Sequence, residues 1–484
     1  MAKSLTPGQA VIEDPILGGI ADSPYLGMRN SLGSIVGFDL HSIPGVMLVN
    51  QKLSVEASGA PTDDLYKIVP CSDGNIYLCG KTTGKIYKNA SGTYTLQGTV
   101  TPAAGSAGIL DAYDMGGKLY YAMQNRLGSW DYTTAFTSRN DNFGTFTNGN
   151  ATYHPMIFVP NQQVLYIGDS NYLAQVNTAG TFAAGSFTNM ATNLVATCLF
   201  FQGSDILIGA SPKSNNAQSF VLRWNGWSTY ATSAYIINES SVNAFLPADD
   251  EVIVNAGVSG NLYHLNGAVM EIIKQVPPIF PNTYSPTNQA KVYYPAVANK
   301  QGIPIFGMSN LSGNIALQGV YAFGRRNPSY PKILTLDFPI SSGNVANIVI
   351  WSIATVQNDV YVSWEDTTTG TVYGIDKLDW SNKYNGAYFE TRVIMNTKIL
   401  LDNWDKFVAN ISQSMPTGCS ISFSYSKNGG AYQAITSSNS IYDAIRQNQL
   451  ADYRVDARSL RIKVSVTTSG NNAPIIENVV INIK

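Results

Sequence analysis

The sequence predicts an all-β protein: a seven-bladed β-propeller, a small antiparallel β-sandwich after it, and an extended N-terminal arm before it. Three observations predict this. A two-part strand phrase recurs seven times, at intervals of roughly 40–55 residues, the length of one four-stranded blade. Beyond residue 386 that period stops and strict apolar–polar alternation replaces it. The composition, with 42 Gly, 28 Tyr and 44% hydrophobic residues, is that of folded β-structure with glycine in the turns.

Taken in order, residues 1–30 form the arm. They carry no period and are rich in Gly, Pro and Ser, yet Val11, Ile12, Ile16, Leu17 and Ile20 are too apolar for a solvated tail. An arm that lies on a partner or a neighbouring subunit reconciles the two properties. The propeller is assigned to residues 31–386. Its repeated phrase begins with residues 75–80 (NIYLCG), 118–123 (KLYYAM), 163–168 (QVLYIG), 205–210 (DILIGA), 251–257 (EVIVNAG), 302–307 (GIPIFG) and 359–365 (DVYVSWE). It closes with residues 84–89, 126–132, 172–177, 220–225, 260–266, 319–324 and 371–377. An apolar inner strand precedes each phrase, at residues 66–70, 109–114, 156–160, 196–202, 242–248, 292–297 and 347–353.

Asn225-Gly226 and Asn266-Gly267 read as two-residue hairpin turns. Pro277, Pro278, Pro281 and Pro286 make a strand-excluding connection between the fifth and sixth blades. The outer strand of the seventh blade is expected from residues 46–55, so that N-terminal chain closes the ring. In the sandwich, residues 387–484, Ile421, Phe423 and Tyr425 alternate with serines, as Leu460, Ile462, Val464 and Val466 alternate with polar residues. Val479, Ile481 and Ile483 repeat the pattern, and a short helix is expected from Ser440, capped by Asp443.

The chemistry-bearing residues are few. Only 13% of residues are charged and the net charge is −2, which argues against a specific nucleic-acid binder. The three histidines, His41, His154 and His264, have no metal-ligand spacing. Four scattered cysteines (Cys71, Cys79, Cys198, Cys419) read as buried thiols, with Cys71 and Cys79 on adjacent strands where they could face each other. No signal pattern opens the chain and no apolar run approaches about 18 residues, so neither a membrane span nor export is expected.

Clustered carboxylates near the axis would mark a sugar-cleaving propeller. Asp111, Asp114, Asp249, Asp250 and Glu251 are the candidates, but no second blade repeats them. No cofactor and no catalytic or metal site is therefore expected. Trp224 and Trp227 flank the Asn225-Gly226 turn and would face each other across a hairpin, as blade packing or as a stacking platform for a sugar. Arg325 and Arg326, followed by Lys332, form a basic knot suited to a partner's carboxylate or phosphate.

Residues 31–53 (SLGSIVGFDLHSIPGVMLVNQKL), leading into the Gly-Asn-Ile-Tyr and Gly-Lys-Ile-Tyr phrases, resemble bacteriophage virion proteins with a propeller body. Residues 460–480 (LRIKVSVTTSGNNAPIIENVV) resemble the terminal β-sandwich modules of minor structural proteins of phages. The resemblance implies a non-enzymatic tail or vertex component, present in multiple copies and assembled in the bacterial host cytoplasm. Its partners would be other virion proteins. The alternative is a host-attachment protein that binds surface glycans through exposed aromatics. The class carries no catalytic residues to transfer.

Overall fold

Period-two runs of branched and aromatic residues, cut every few residues by glycine, favour strands and leave no segment long enough for a helix. The computed structural model describes residues 9–483 apart from 13–18, 22–30, 44, 57–58, 103–107, 149–151, 215–217, 249–250, 267, 277–289, 310–317, 327–328, 343–347, 369 and 396–401. Among these, regular structure is β-strand, apart from three-residue 3-10 turns such as Phe136–Ser138 and Ser437–Asn439. The chain forms two compact units, one of residues 55–318 and 342–377, the other of residues 1–54, 319–341 and 378–484. This division differs from the boundaries at 30/31 and 386/387 read from the sequence. Backbone pairing is the reason: Leu32–Val36 is hydrogen-bonded to Ala387–Thr391, and Val36 pairs with Leu336, which joins three distant segments in one sheet.

The first unit contains a succession of antiparallel up-and-down sheets, the arrangement of a β-propeller. The first sheet is Tyr66–Pro70, Ile76–Gly80, Lys85–Ala90 and Thr93–Thr99; four more of the same order follow, opening on Asp111–Met115, Met156–Val159, Leu194–Gln202 and Val242–Leu246. Next come the pair Lys291–Lys300 and Ile303–Ser309, then Ile348–Val356 and Asp359–Asp366, followed by Val372–Lys383. The strand order of this last sheet ends on Gln51–Val55, and the Glu56 N–H donates to the Ile375 carbonyl at 2.8 Å. The opening strands fall on the inner strands inferred from the sequence, shifted by a few residues at their ends.

A repeated hydrogen bond joins neighbouring sheets. At each junction, a backbone N–H at the start of one inner strand finds an acceptor on the sheet before it. Ile109 donates to the Gly80 carbonyl, Met156 to the Asp111 carboxylate, Ala196 to the Ser170 carbonyl and Val242 to Ser211 Oγ. Val292 donates to Asn255 Oδ1, Ile350 to Ser309 Oγ and Tyr66 to Ser363 Oγ. The last bond returns to the first sheet, so the series closes on itself at 3.0 Å. Apolar side chains fill the space between sheets: Val69, Tyr77, Ile86, Leu119, Tyr121 and Trp130 form one such layer. Each is worth about 1.5–3 kcal/mol relative to exposure.

The second unit includes two larger sheets and the short pair Phe38–Asp39 and Leu48–Val49. One runs Gln9–Ile12, Ile476–Ile483, Asp402–Ile411, Asn448–Ala457, Ser440–Asp443. In the other, Ala387–Thr391 lies between Leu32–Val36 and Ser459–Thr467, with Ser420–Lys427 beyond. Ile421, Phe423, Leu460, Ile462, Val464 and Val466 are buried, and the Phe407 and Phe423 rings lie 6.5 Å apart.

Several expectations need correction. Ser440–Asp443 is a strand, not a helix, because Ser440 and Ile441 pair with Ala451 and Leu450; Asp443 instead caps a turn by accepting from the Ile445 and Arg446 N–H groups. Cys71 and Cys79 do not face each other: Cys79 is opposite Lys67, while the Cys71 N–H donates to the Asn75 carbonyl at the sheet's end. Asn225-Gly226 does not form a two-residue turn, since the strand ending at Trp224 is followed by one that starts only at Ser233. The proline-rich connection at Pro277, Pro278, Pro281 and Pro286, and the Asp249-Asp250 pair, lie outside the described residues.

Candidate functional site

Inner strands of a closed ring point half of their side chains toward its centre, and a β-bulge re-aims a side chain that the regular pleat would turn away. Four consecutive inner strands of the first unit carry such an irregularity. The register slips at Thr197, at Asn243, across residues 293–296 and at Trp351. Thr197, Asn243, Tyr293, Tyr294, Pro295 and Trp351 all line a single cavity of about 470 Å³. Its wall also includes Asp111, His154, Ser211 and Lys291. A void of this size suits a ligand of monosaccharide or nucleotide dimensions.

The acidic wall of the cavity is fully engaged. Asp111 is buried; Lys67 Nζ stands 3.0 Å from its Oδ1, which also accepts from the Ala112 N–H, while Oδ2 accepts from the Met156 N–H. Burial raises its pKa, against the opposing pull of Lys67. Asp114, which is not part of the lining, accepts from the Ser72 N–H and the Tyr132 hydroxyl. These two carboxylates, the strongest candidates for acid–base work, thus hold the scaffold together. His154 is buried under the Phe146 ring, with its two ring nitrogens 2.6 Å from the Gly168 carbonyl and 3.0 Å from that of Gln124. Burial lowers its pKa, against the opposing pull of these two carbonyls and of Asp169.

The basic groups, Lys291 in the lining and Lys81 against the lining residue Trp351, are different. Lys81 Nζ sits 3.7 Å above the Trp351 ring and 5.8 Å from that of Tyr293; Lys291 Nζ is 4.8 Å from the same Tyr293 ring. Among the described residues neither ammonium has a carboxylate at ion-pair distance. Burial lowers the pKa of Lys81 and raises that of Glu365, each partly offset by the charge of the other. Trp351 is 6% exposed, and its indole N–H has no hydrogen-bond partner among the described residues. Among the described residues no group of three or more His, Cys, Asp or Glu side chains could hold a metal.

Of the residues singled out in the sequence, Trp224 and Trp227 are not brought together. Trp224 is 1% exposed, packed on Tyr166 and Phe187, and donates through Nε1 to the Ser228 carbonyl at 2.7 Å. It cannot touch a glycan. Trp227, in the loop that the missing two-residue turn creates, is 75% exposed, close in sequence to Tyr230 at 69%. Arg325 and Arg326 belong to the second unit; Arg325 donates to the Tyr330 carbonyl and Arg326 to Ser42 Oγ, both at 3.4 Å. Asn327 and Pro328, next in that basic stretch, lie outside the described residues. Asp111 and His154 of the lining were singled out in the sequence, whereas Thr197, Asn243 and Tyr293 were missed because a bulge leaves no trace in hydrophobic periodicity. The one available signal was the aromatic and basic run Lys291, Tyr293, Tyr294 on an otherwise apolar inner strand.

No family model matches the chain, and no curated protein matches it. Solved structures do. The extracellular domain of a putative one-component system from B. thetaiotaomicron aligns over 75% of this chain at 15% identity and a TM-score of 0.48; the chain covers 44% of that domain. Virginiamycin B lyase from Staphylococcus aureus aligns over 65% of this chain at 11% identity, with a TM-score of 0.44 and 98% of the lyase covered. The Pan2 WD40 domain of Neurospora crassa aligns over 71% at 8% identity, also with a TM-score of 0.44 and 99% of that domain covered. The chain spans less than half the length of the first of these structures.

Proposed function

We propose that this protein is a non-enzymatic structural component of a bacterial virus particle, in which a seven-bladed propeller docks other virion proteins and a C-terminal β-sandwich completes the chain. The count of seven follows the seven inner strands and the hydrogen bond that returns the last to the first. One observation carries the virion reading. The two stretches that resemble phage virion proteins are more than 400 residues apart in sequence, yet they share a sheet. Leu32–Val36 and Ser459–Thr467 flank the same strand, and Met47 and Ile476 exchange backbone hydrogen bonds. The resemblance therefore falls on one folded module instead of two unrelated loops.

The N-terminal arm supports the same reading. Gln9–Ile12 adds as an antiparallel strand to Ile476–Ile483, so its order comes from residues far away in sequence. Strand addition of this kind is also how subunits fasten to neighbours. The test is to locate the protein in purified particles by electron microscopy with a bound antibody fragment, and to delete residues 1–30. A soluble truncated protein that is missing from particles supports the proposal. Full incorporation of the truncated protein, or absence of the intact protein from particles, overturns it.

Trp227 and Tyr230 favour a second reading, attachment to a host glycan, because exposed aromatics on one loop are what a sugar ring stacks on. Loss of cell binding in Trp227→Ala with normal particle assembly would select that reading. Retained binding in the variant would remove it.

A further inference from the structure

We propose that the axial cavity of the propeller binds a small hydroxyl-bearing molecule carrying a single anionic group, a carboxylate or a phosphate, held by Lys291 and the Trp351 indole N–H, with Lys81 supplying charge beside them. The inference does not depend on the virion reading.

Three independent features point to an anion. First, two ammonium groups stand within 6 Å of one tyrosine ring, at 5.8 and 4.8 Å, which costs mutual repulsion. A ring quadrupole offsets part of that cost, whereas an anion between the two charges would cancel it. Second, Trp351 is a buried donor without a partner among the described residues, and a buried polar group left so costs about 1–3 kcal/mol. Such donors persist where a ligand completes them. Third, both ring residues owe their position to bulges in the inner strands, at residues 293–296 and at Trp351, which regular blade packing does not require. The lowered pKa of Lys81 agrees, since burial is its leading cause and Lys291 adds to it, against the opposing pull of Glu365.

The rest of the wall sets the size and character of the ligand. Asp111 is committed to Lys67 and two backbone N–H groups, so it neither repels an anion at full strength nor offers a cation site. Thr197 and Ser211 satisfy each other and the Val242 carbonyl, and Asn243 is committed to Asn255, the Gly257 carbonyl and Ser241, while exposed Ser240 remains on the wall to meet a hydroxyl group. A volume of about 470 Å³ accepts a single sugar-sized unit.

The full-length protein is to be titrated by calorimetry with D-glucuronate, glucose 6-phosphate, inorganic phosphate and D-glucose. Binding of either acidic sugar, weakened by added salt and absent for glucose, is expected. Glucuronate alone would assign a carboxylate, and glucose 6-phosphate together with inorganic phosphate would assign a phosphate. Lys291→Met should weaken that binding about tenfold or more. Trp351→Phe, which keeps a six-membered aromatic ring but removes the N–H with the pyrrole part of the indole, should weaken binding by more than its own change in ligand-free melting temperature accounts for. Equal binding of glucose, binding of none of the anions, or unchanged affinity in both variants would overturn the proposal.

Discussion

Replacing Trp224 with alanine removes the largest side chain of the layer between the third and fourth sheets of the propeller. Trp224 is 1% exposed; its ring meets Tyr166 edge-on at 5.4 Å and Phe187 at 5.0 Å, and Leu199, Ile206 and Leu222 belong to the same cluster. Truncation of a buried tryptophan costs about 3–5 kcal/mol through lost transfer energy and the cavity left behind. The bond from Nε1 to the Ser228 carbonyl adds about 1 kcal/mol, and it also pins the loop that follows. A loss near the upper end of that range is expected in urea unfolding followed by circular dichroism. Trp224→Phe, which keeps an aromatic contact and loses the hydrogen bond, should cost about 1–2 kcal/mol. Trp227→Ala, three residues away and exposed, should stay within about 0.5 kcal/mol of the parent. A loss below about 1 kcal/mol for Trp224→Ala, or equal losses at the two positions, would refute the packing argument.

Further outcomes follow from the closure of the ring, its tethers and its thiols. Ser363→Ala strips the acceptor from the Tyr66 N–H, so stability should fall by about 1–3 kcal/mol and the Tyr66 amide should exchange faster with deuterium; an unchanged exchange rate would place closure elsewhere. Asp379 accepts from the Asn382 side chain, the Ser381 N–H and Ser54 Oγ, and lies 3.6 Å from Lys52 Nζ. The Asn382 hydrogen bond is the leading cause of a pKa held below the usual aspartate value. A depressed carboxylate contributes stability above its unfolded pKa, about 4, and that contribution is lost as pH falls through the folded value. The acid limb of a stability–pH curve should therefore be shallower in Asp379→Asn. Burial pushes the Cys71, Cys79 and Cys198 thiols far up, so a thiol reagent at neutral pH should label Cys419 in the native protein and all four only in denaturant.

What was legible in the sequence was whatever repeats. Strand phrases such as residues 118–123 and 172–177 coincide with observed strands, because alternation and turn chemistry act locally and recur in every blade. The outer strand at Gln51–Val55 was anticipated for a different reason: a ring whose last sheet lacks a strand must take one from somewhere. The failures share a cause. Asn225-Gly226 has turn chemistry, but Trp224 is pulled inward by Tyr166 and Phe187 and its N–H is taken by Ser228, so the loop widens and Trp227 is turned out to solvent. Ser440–Asp443 reads as a capped helix start, yet pairing with Asn448–Ala457 overrides that local preference. The cavity was hidden most completely. Thr197, Asn243, Tyr293 and Trp351 sit on four strands whose one common property, a register slip, exists only once each strand has its partner. A site assembled from residues of several blades has no motif to find. It becomes visible when closure brings the slips around one axis, so the same geometry that gives the ring its stability also gathers its polar residues into a place where a ligand can sit.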